Sequence, residues 1–340
     1  VVSAIEAADE AFSDWAAKSP RDRSKILFFA AGEVRRRNTD LAALLNQGDY
    51  LRPLIAKRHF HETGTLRYLV PRVIDVADAD EAARSRIDGA DGLLLYVLPS
   101  AETALDETLQ RVAQLSADLA SPQQGQVLFA VPRYFQGIRE TIQDLRAWDW
   151  VRENTPELDG DSIARRELAA RRMAARSRLD RALKRTFEPS EGHQACAWIW
   201  RGEIQPCPTR GALARLVSKI CDHVYYHAPV VKNEIINRHS LSSAAAAARR
   251  SLVDRMLSHG EEIKLGLQGY PPEMSVYLSV LDASGLHQNT ADGWGFGPPA
   301  EVDPGRVGPL WREIESSLAD PATPQVPVTT IYERLRQPPF

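Results

Sequence analysis

Two apolar runs interrupt a chain that otherwise alternates or repeats at helical spacing: Gly92–Leu98 (GLLLYVL) and Gln126–Val131 (QVLFAV). Unbroken hydrophobicity over six or seven residues suits a strand covered on both faces, because successive side chains point to opposite sides of a sheet. Between the runs, Leu105, Leu109, Val112 and Leu115 place a helix over 104–119, and Ile138–Val151 continues after the second run with the same period. Thr65–Val70 supplies one more strand. Strands and helices in alternation over 59–155 predict a small α/β unit with parallel pairing and right-handed crossovers. The strand at 92–98 lacks the terminal Asp of an ATPase acidic strand and is read as core.

The period changes at Asp161. From there to Phe187 the pattern predicts one helix of about 40 Å, with Leu168, Ala175, Leu179, Leu183 and Phe187 as a narrow apolar stripe. A hairpin is predicted over Ala195–Gln205, turning at Arg201-Gly202 with Trp198 and Trp200 on one face, then a helix over Leu213–Tyr226. The stretch Ala228–Met256 (APVVKNEIINRHSLSSAAAAARRSLVDRM) organises the carboxyl-terminal third of the chain. Ser242 is placed to cap a helix whose five alanines admit a close neighbour, and Gly260 stands where a left-handed cap would end it. Pro271-Pro272 opens a helix with Met274, Tyr277, Leu278 and Leu281 inward, broken at Gly285. Residues 289–306 read as a loop or small wing, Trp311–Leu318 as helix, and Val326–Leu335 as the opening helix of a winged-helix module. Upstream, residues 1–47 read as three helices, the second started by Ser19-Pro20-Arg21-Asp22.

The predicted class is α+β and mostly helical. An N-terminal helical segment spans 1–58, the small α/β domain 59–155, the long basic helix 156–190, and a helical, winged-helix-like region 191–340. At 340 residues two or three domains are expected. The chain begins at Val1 without Met and ends in Pro338-Pro339-Phe340, which predicts an excerpt from a longer polypeptide.

Charge alters this picture in one place. The net charge is −3, yet residues 161–187 hold nine Arg or Lys against three acids. Arg165, Arg166, Arg171, Arg172 and Arg176 are the candidates to track a nucleic-acid backbone, with Lys232, Arg238, Arg249 and Arg250 second. A solvated face, or pairing with an acidic protein partner, explains the same run. Three cysteines make no disulfide framework and suit a reducing cytosol. No apolar run is long enough to span a membrane.

Catalytic signatures are missing from the pattern. There is no G-x-x-x-x-G-K-[ST] phosphate loop and no Gly-rich dinucleotide turn after a strand, so no cofactor is expected in this segment. Cys196, Cys207 and Cys221 with His193, His223 and His227 offer zinc-type donors, but no C-x₂-C pair, and ordinary buried cysteine explains them as well. His59 and His61, within KRHFHETG, are suited to acid–base work or to capping a turn.

Residues 1–47 resemble the N-terminal helices of aldehyde dehydrogenases, although Asn46-Gln47-Gly48-Asp49 departs from that family's continuation. Three longer stretches carry a second resemblance: KRHFHETGTLRYL (57–69), PVVKNEIINRHSLSSAAAAARRSLVDRML (229–257) and GYPPEMSVYLSVLDASGLH (269–287). They are similar to the region beyond the nucleotide-binding core of very large bacterial P-loop ATPases from phage-defence clusters, of the BREX PglY-like kind. That resemblance implies ATP and Mg bound upstream, a cytoplasmic scaffold or transmission role for this segment, and DNA or defence-system subunits as partners. The alternatives are a pure protein–protein module and a remnant of an aldehyde dehydrogenase fusion.

Overall fold

The computed structural model describes residues 41–48, 50–87, 89–99, 104–135, 137–237, 242–291, 293–319 and 325–340. The helices expected before Leu41, and Arg238, lie outside them. The principal elements in chain order are α1 (Leu41–Gln47), β1 (Leu54–Ile55), α2 (Lys57–Thr63), β2 (Tyr68–Asp75), α3 (Ala79–Arg84), β3 (Gly92–Leu98), α4 (Leu105–Asp118), β4 (Val127–Pro132), α5 (Ile138–Glu153), α6 (Ser162–Phe187), β5 (Cys196–Trp200), β6 (Glu203–Gln205) and α7 (Arg210–Val224). After them come α8 (Ser243–Ser258), α9 (Pro272–Val276) continuing as a π-helical turn over Tyr277–Asp282, β7 (His287–Thr290), β8 (Gly293–Phe296), α10 (Gly308–Ala319) and α11 (Val328–Leu335).

The sheet explains the apolar runs. Six strands lie in sequence order β1 to β6; β2, β3 and β4 are parallel, and the outer pairings are antiparallel. Every residue of β3 and β4 is buried. Alternation then splits them: Leu93, Leu95 and Val97 join Val127, Phe129 and Val131 beneath α3 and α4. Leu94, Tyr96 and Leu98 join Leu128 and Ala130 beneath α1, α5, α6 and α7 on the other face. The fold is α+β with a mixed sheet between two helical layers.

Several expectations are met in detail. The helix expected from Asp161 to Phe187 runs over Ser162–Phe187; Asp161 proves to be its cap, with Oδ1 accepting from the backbone N–H of Ile163 and Ala164 at 3.0 and 2.9 Å. All five stripe residues of α6 are buried. The hairpin turns at Arg201 (φ +54°) and Gly202 (φ +80°), the two positive φ values of a type I′ turn. Trp198 and Trp200 lie in the same core. That hairpin is nevertheless part of the main sheet, so the sheet and its core run across the boundaries drawn at 155/156 and 190/191.

Other details are corrected. The strand expected at Thr65–Val70 lies at Tyr68–Asp75 and passes through Pro71. Proline is tolerated because β1 pairs only with Tyr68 and Leu69, leaving β2 single-sided beyond them. There the Asn46 side chain stands in for a strand, accepting from Val73 N at 2.9 Å and donating to Val73 O at 2.6 Å. Ser242 does cap α8, accepting from Ala245 N at 3.2 Å, but Gly260 is not left-handed; His259 ends the helix at φ −132°. A Cβ at Gly260 would lie 3.1 Å from the Phe296 ring, so close approach is what the glycine permits. Of the four inward side chains expected at 274–281, Leu278 is exposed, because the π turn rotates it off the buried face.

Candidate nucleic-acid interface

The α6 helix places charge by burying its stripe. Leu168, Ala175, Leu179 and Leu183 face the core, which turns the cationic side chains of its 26 residues outward along about 39 Å. The five primary candidates then divide. Arg171 pairs with Glu167 at 2.7 Å and Arg176 with Asp180 at 3.1 Å, each one helical turn apart. Arg176 also lies 5.7 Å from the Tyr50 ring centroid. Arg172 bonds Asp149 on α5, and Arg178 bonds Asp144 on the same helix. These two contacts dock α6 on α5, so part of the basic run is compensated within the chain. Arg165 and Arg166 remain exposed with no ion pair among the described residues.

The other end of the helix carries cations that the sequence reading passed over. Arg181, Lys184 and Arg185 are exposed and form no ion pair among the described residues; Arg181 bonds only the Ser177 carbonyl, at 3.3 Å. Their spacing of three and four residues puts them on one face, and that spacing was the signal available in the sequence. Lys184 and Arg185 also oppose the negative end of the helix dipole. The secondary candidates lie on a different part of the fold: Lys232 precedes the short helix Glu234–Asn237, while Arg249 and Arg250 are exposed on α8.

The zinc-type donors are dispersed by the sheet. Cys196 points from β5 toward α6, its Sγ donating to the Thr186 carbonyl at 3.3 Å, and burial raises its thiol far above the ordinary range. Burial likewise pushes Cys221 up to about 12 and Cys207 to about 11. Protonated, buried thiols are unreactive and poor ligands. His223 stands edge-on to Trp200, with ring centroids 5.5 Å apart, and its pKa is lowered by partial burial and by Arg201 and Lys219. His227 packs on Phe340 instead, and His193 sits beyond the end of α6. Among the described residues, no three His, Cys, Asp or Glu side chains converge as metal ligands would.

His59 and His61 lie on α2, not in a turn before a strand. His59 is buried, and its Nδ1 donates to Asp222 on α7 at 2.7 Å. Arg58 reaches the other oxygen of that carboxylate at 2.5 Å. The Nε2 of His59 is buried and has no hydrogen-bond partner among the described residues, while the Nδ1 and Arg58 contacts to Asp222 clamp α2 to α7. A second anchor lies nearby. Arg67 bonds Asp91 at 2.9 Å, stacks 3.5 Å from the Tyr225 ring centroid, and donates to the Phe340 carbonyl at 2.9 Å. It thereby ties the last residues to the amino ends of β2 and β3. Desolvation pushes the Tyr225 phenol up to about 12. No helix among the described residues is long and apolar enough to cross a membrane.

No protein-family model matches the chain, and neither a curated protein nor a solved structure shows significant similarity to it.

Proposed function

We propose that this chain is a non-catalytic scaffold and binding module of a large bacterial phage-defence ATPase, and that its basic helix engages the phosphates of nucleic acid. The observation that carries the reading is the outward set Arg165, Arg166, Arg181, Lys184 and Arg185, cationic and without acidic partners among the described residues. The likeness of 57–69, 229–257 and 269–287 to the PglY-like ATPases supports the larger context. On that reading ATP and Mg bind elsewhere in the parent protein, the module works in the cytoplasm, and β7–β8 with α10 and α11 serve as a winged-helix-like element.

Anisotropy of a labelled DNA duplex, titrated with the purified chain across salt concentrations, tests it. Log affinity should fall with log salt, with a slope of about −0.9 per neutralised phosphate. Reversing Arg165 and Arg166 to Glu should lower the magnitude of that slope by about 2. Affinity indifferent to salt and to both substitutions overturns the proposal.

A second reading, a protein–protein module, rests on a different observation. Val253 and Leu257 are exposed four residues apart on α8, one helical turn from each other. Leu257→Asp should then abolish capture of a defence-system subunit and leave duplex binding unchanged.

A further inference from the structure

The carboxyl end of β4 opens into a cleft of about 450 Å³ lined by Arg133, Tyr134, Ser190, His193 and Gln194. Its floor is built rigidly. Arg133 N donates to the Ala195 carbonyl at 2.9 Å, which continues the β4–β5 pairing one residue past the strand. Ser190 and His193 exchange both backbone bonds, at 3.3 and 2.9 Å, around Gly192 at φ +73°. This tight turn holds the imidazole in place. His193 Nε2 lies 2.7 Å from the Arg185 carbonyl. A carbonyl only accepts, so Nε2 carries a proton and donates it to that bond.

Two flat rings border this floor. Tyr134 is 61% exposed, and its plane lies within 22° of the His193 ring, with centroids 6.4 Å apart. Tyr134 follows directly on Arg133, whose N–H is held by Ala195, so a largely exposed ring stands at the edge of the cleft beside a near-parallel imidazole. Beside it, the Arg133 guanidinium has one neutral partner, Gln194 Oε1 at 3.4 Å. The last turn of α6 adjoins the cleft through the Arg185 carbonyl that His193 meets, and it carries Lys184 and Arg185. The acids in reach are Glu188, already bonded to Arg210, and Glu191 on the turn itself.

We infer that this corner binds single-stranded nucleic acid, with an unpaired base stacked on Tyr134 and His193 and the adjoining phosphates on Arg133, Lys184 and Arg185. Stacking platforms flanked by cations suit any strand whose bases are free, whereas a duplex keeps its base faces covered. The inference rests on the phosphate-binding reading above and narrows its ligand to the unpaired strand.

Anisotropy with a labelled oligothymidine of about 12 nucleotides, beside a duplex of equal length, separates the two ideas. Wild-type chain should prefer the single strand. Tyr134→Ala should weaken single-strand binding about tenfold and leave the duplex unchanged, while Tyr134→Phe, which keeps the ring, retains the wild-type affinity. If Tyr134→Ala binds the oligothymidine like wild type, or if strand and duplex bind alike, the stacking site is overturned. The helix reading still stands in that event, provided Arg165→Glu with Arg166→Glu weakens the duplex. Failure to bind either ligand overturns both.

Discussion

From Leu41 to Ala228, buried side chains form two clusters on the opposite faces of one sheet, and the central strands contribute to both. From Pro229 to Phe340 a cluster of seven buried residues is centred on Tyr277, and neither α10 nor α11 buries a side chain. The second region pins this smaller cluster with polar contacts. Asn233 Nδ2 lies within reach of the Ser275 carbonyl, Ser275 Oγ and Ser279 Oγ at 3.0, 3.1 and 2.9 Å. His287 bridges the Tyr277 hydroxyl at 2.9 Å and the Gly260 carbonyl at 2.8 Å. A sheet uses alternate residues of one strand on two cores, whereas a lone amphipathic helix buries one stripe. The difference teaches that a sheet covered on both faces builds a core that a few helices and a two-stranded ribbon do not match.

The contrast breaks most visibly at Trp198. Trp198→Ala should lower stability by about 3–5 kcal/mol in denaturant unfolding, because a fully buried indole leaves a cavity between β5 and α6. Leu257→Ala, on the far side of the comparison and 84% exposed, should shift it by less than about 0.5 kcal/mol. Equal losses would erase the distinction.

Alkali should sharpen it. Burial raises the thiols of Cys196 and Cys221 and the phenols of Tyr96 and Tyr225, all in the sheet-centred region. The folded chain therefore holds these protons more tightly than the unfolded chain. Their contribution is complete below the ordinary thiol pKa of about 8.5 and is lost as pH climbs toward about 12, where Cys221 and Tyr225 release theirs. The expected result is a progressive fall in unfolding midpoint above that onset and a flat profile from neutrality up to it. A midpoint unchanged into strong alkali would contradict the burial of these groups. A smaller effect than that at Trp198 is local. Ser242→Ala should cost about 1 kcal/mol and speed amide exchange in the first turn of α8, with the protection of β3 and β4 unaltered.

Legibility in the sequence divides along the same line. Strands β3 and β4, the capped helix α6 and the Arg201-Gly202 hairpin were legible because each is specified by residues close together. The route of β2 through Pro71 was not, since it depends on how short β1 is and on Asn46. The arginine run of α6 was legible in number but not in availability. Arg172 and Arg178 find Asp149 and Asp144 across 23 and 34 residues, and no local pattern announces such partners. Likewise, Tyr134 and His193 stand 59 positions apart in the chain and meet only because β4 and β5 pair.

The margins of the sheet have a consequence of their own. Strand β1 has two residues and β6 three, the latter carrying Glu203, while the strands rich in leucine and valine lie between covered neighbours. Beyond Leu69 the free side of β2 is interrupted by Pro71, which has no N–H to offer, and is occupied at Val73 by the Asn46 amide, so a second chain finds only short stretches of unpaired ladder and crowded copies should resist fibrillar stacking even though Ile55 and Ile204 are open to water.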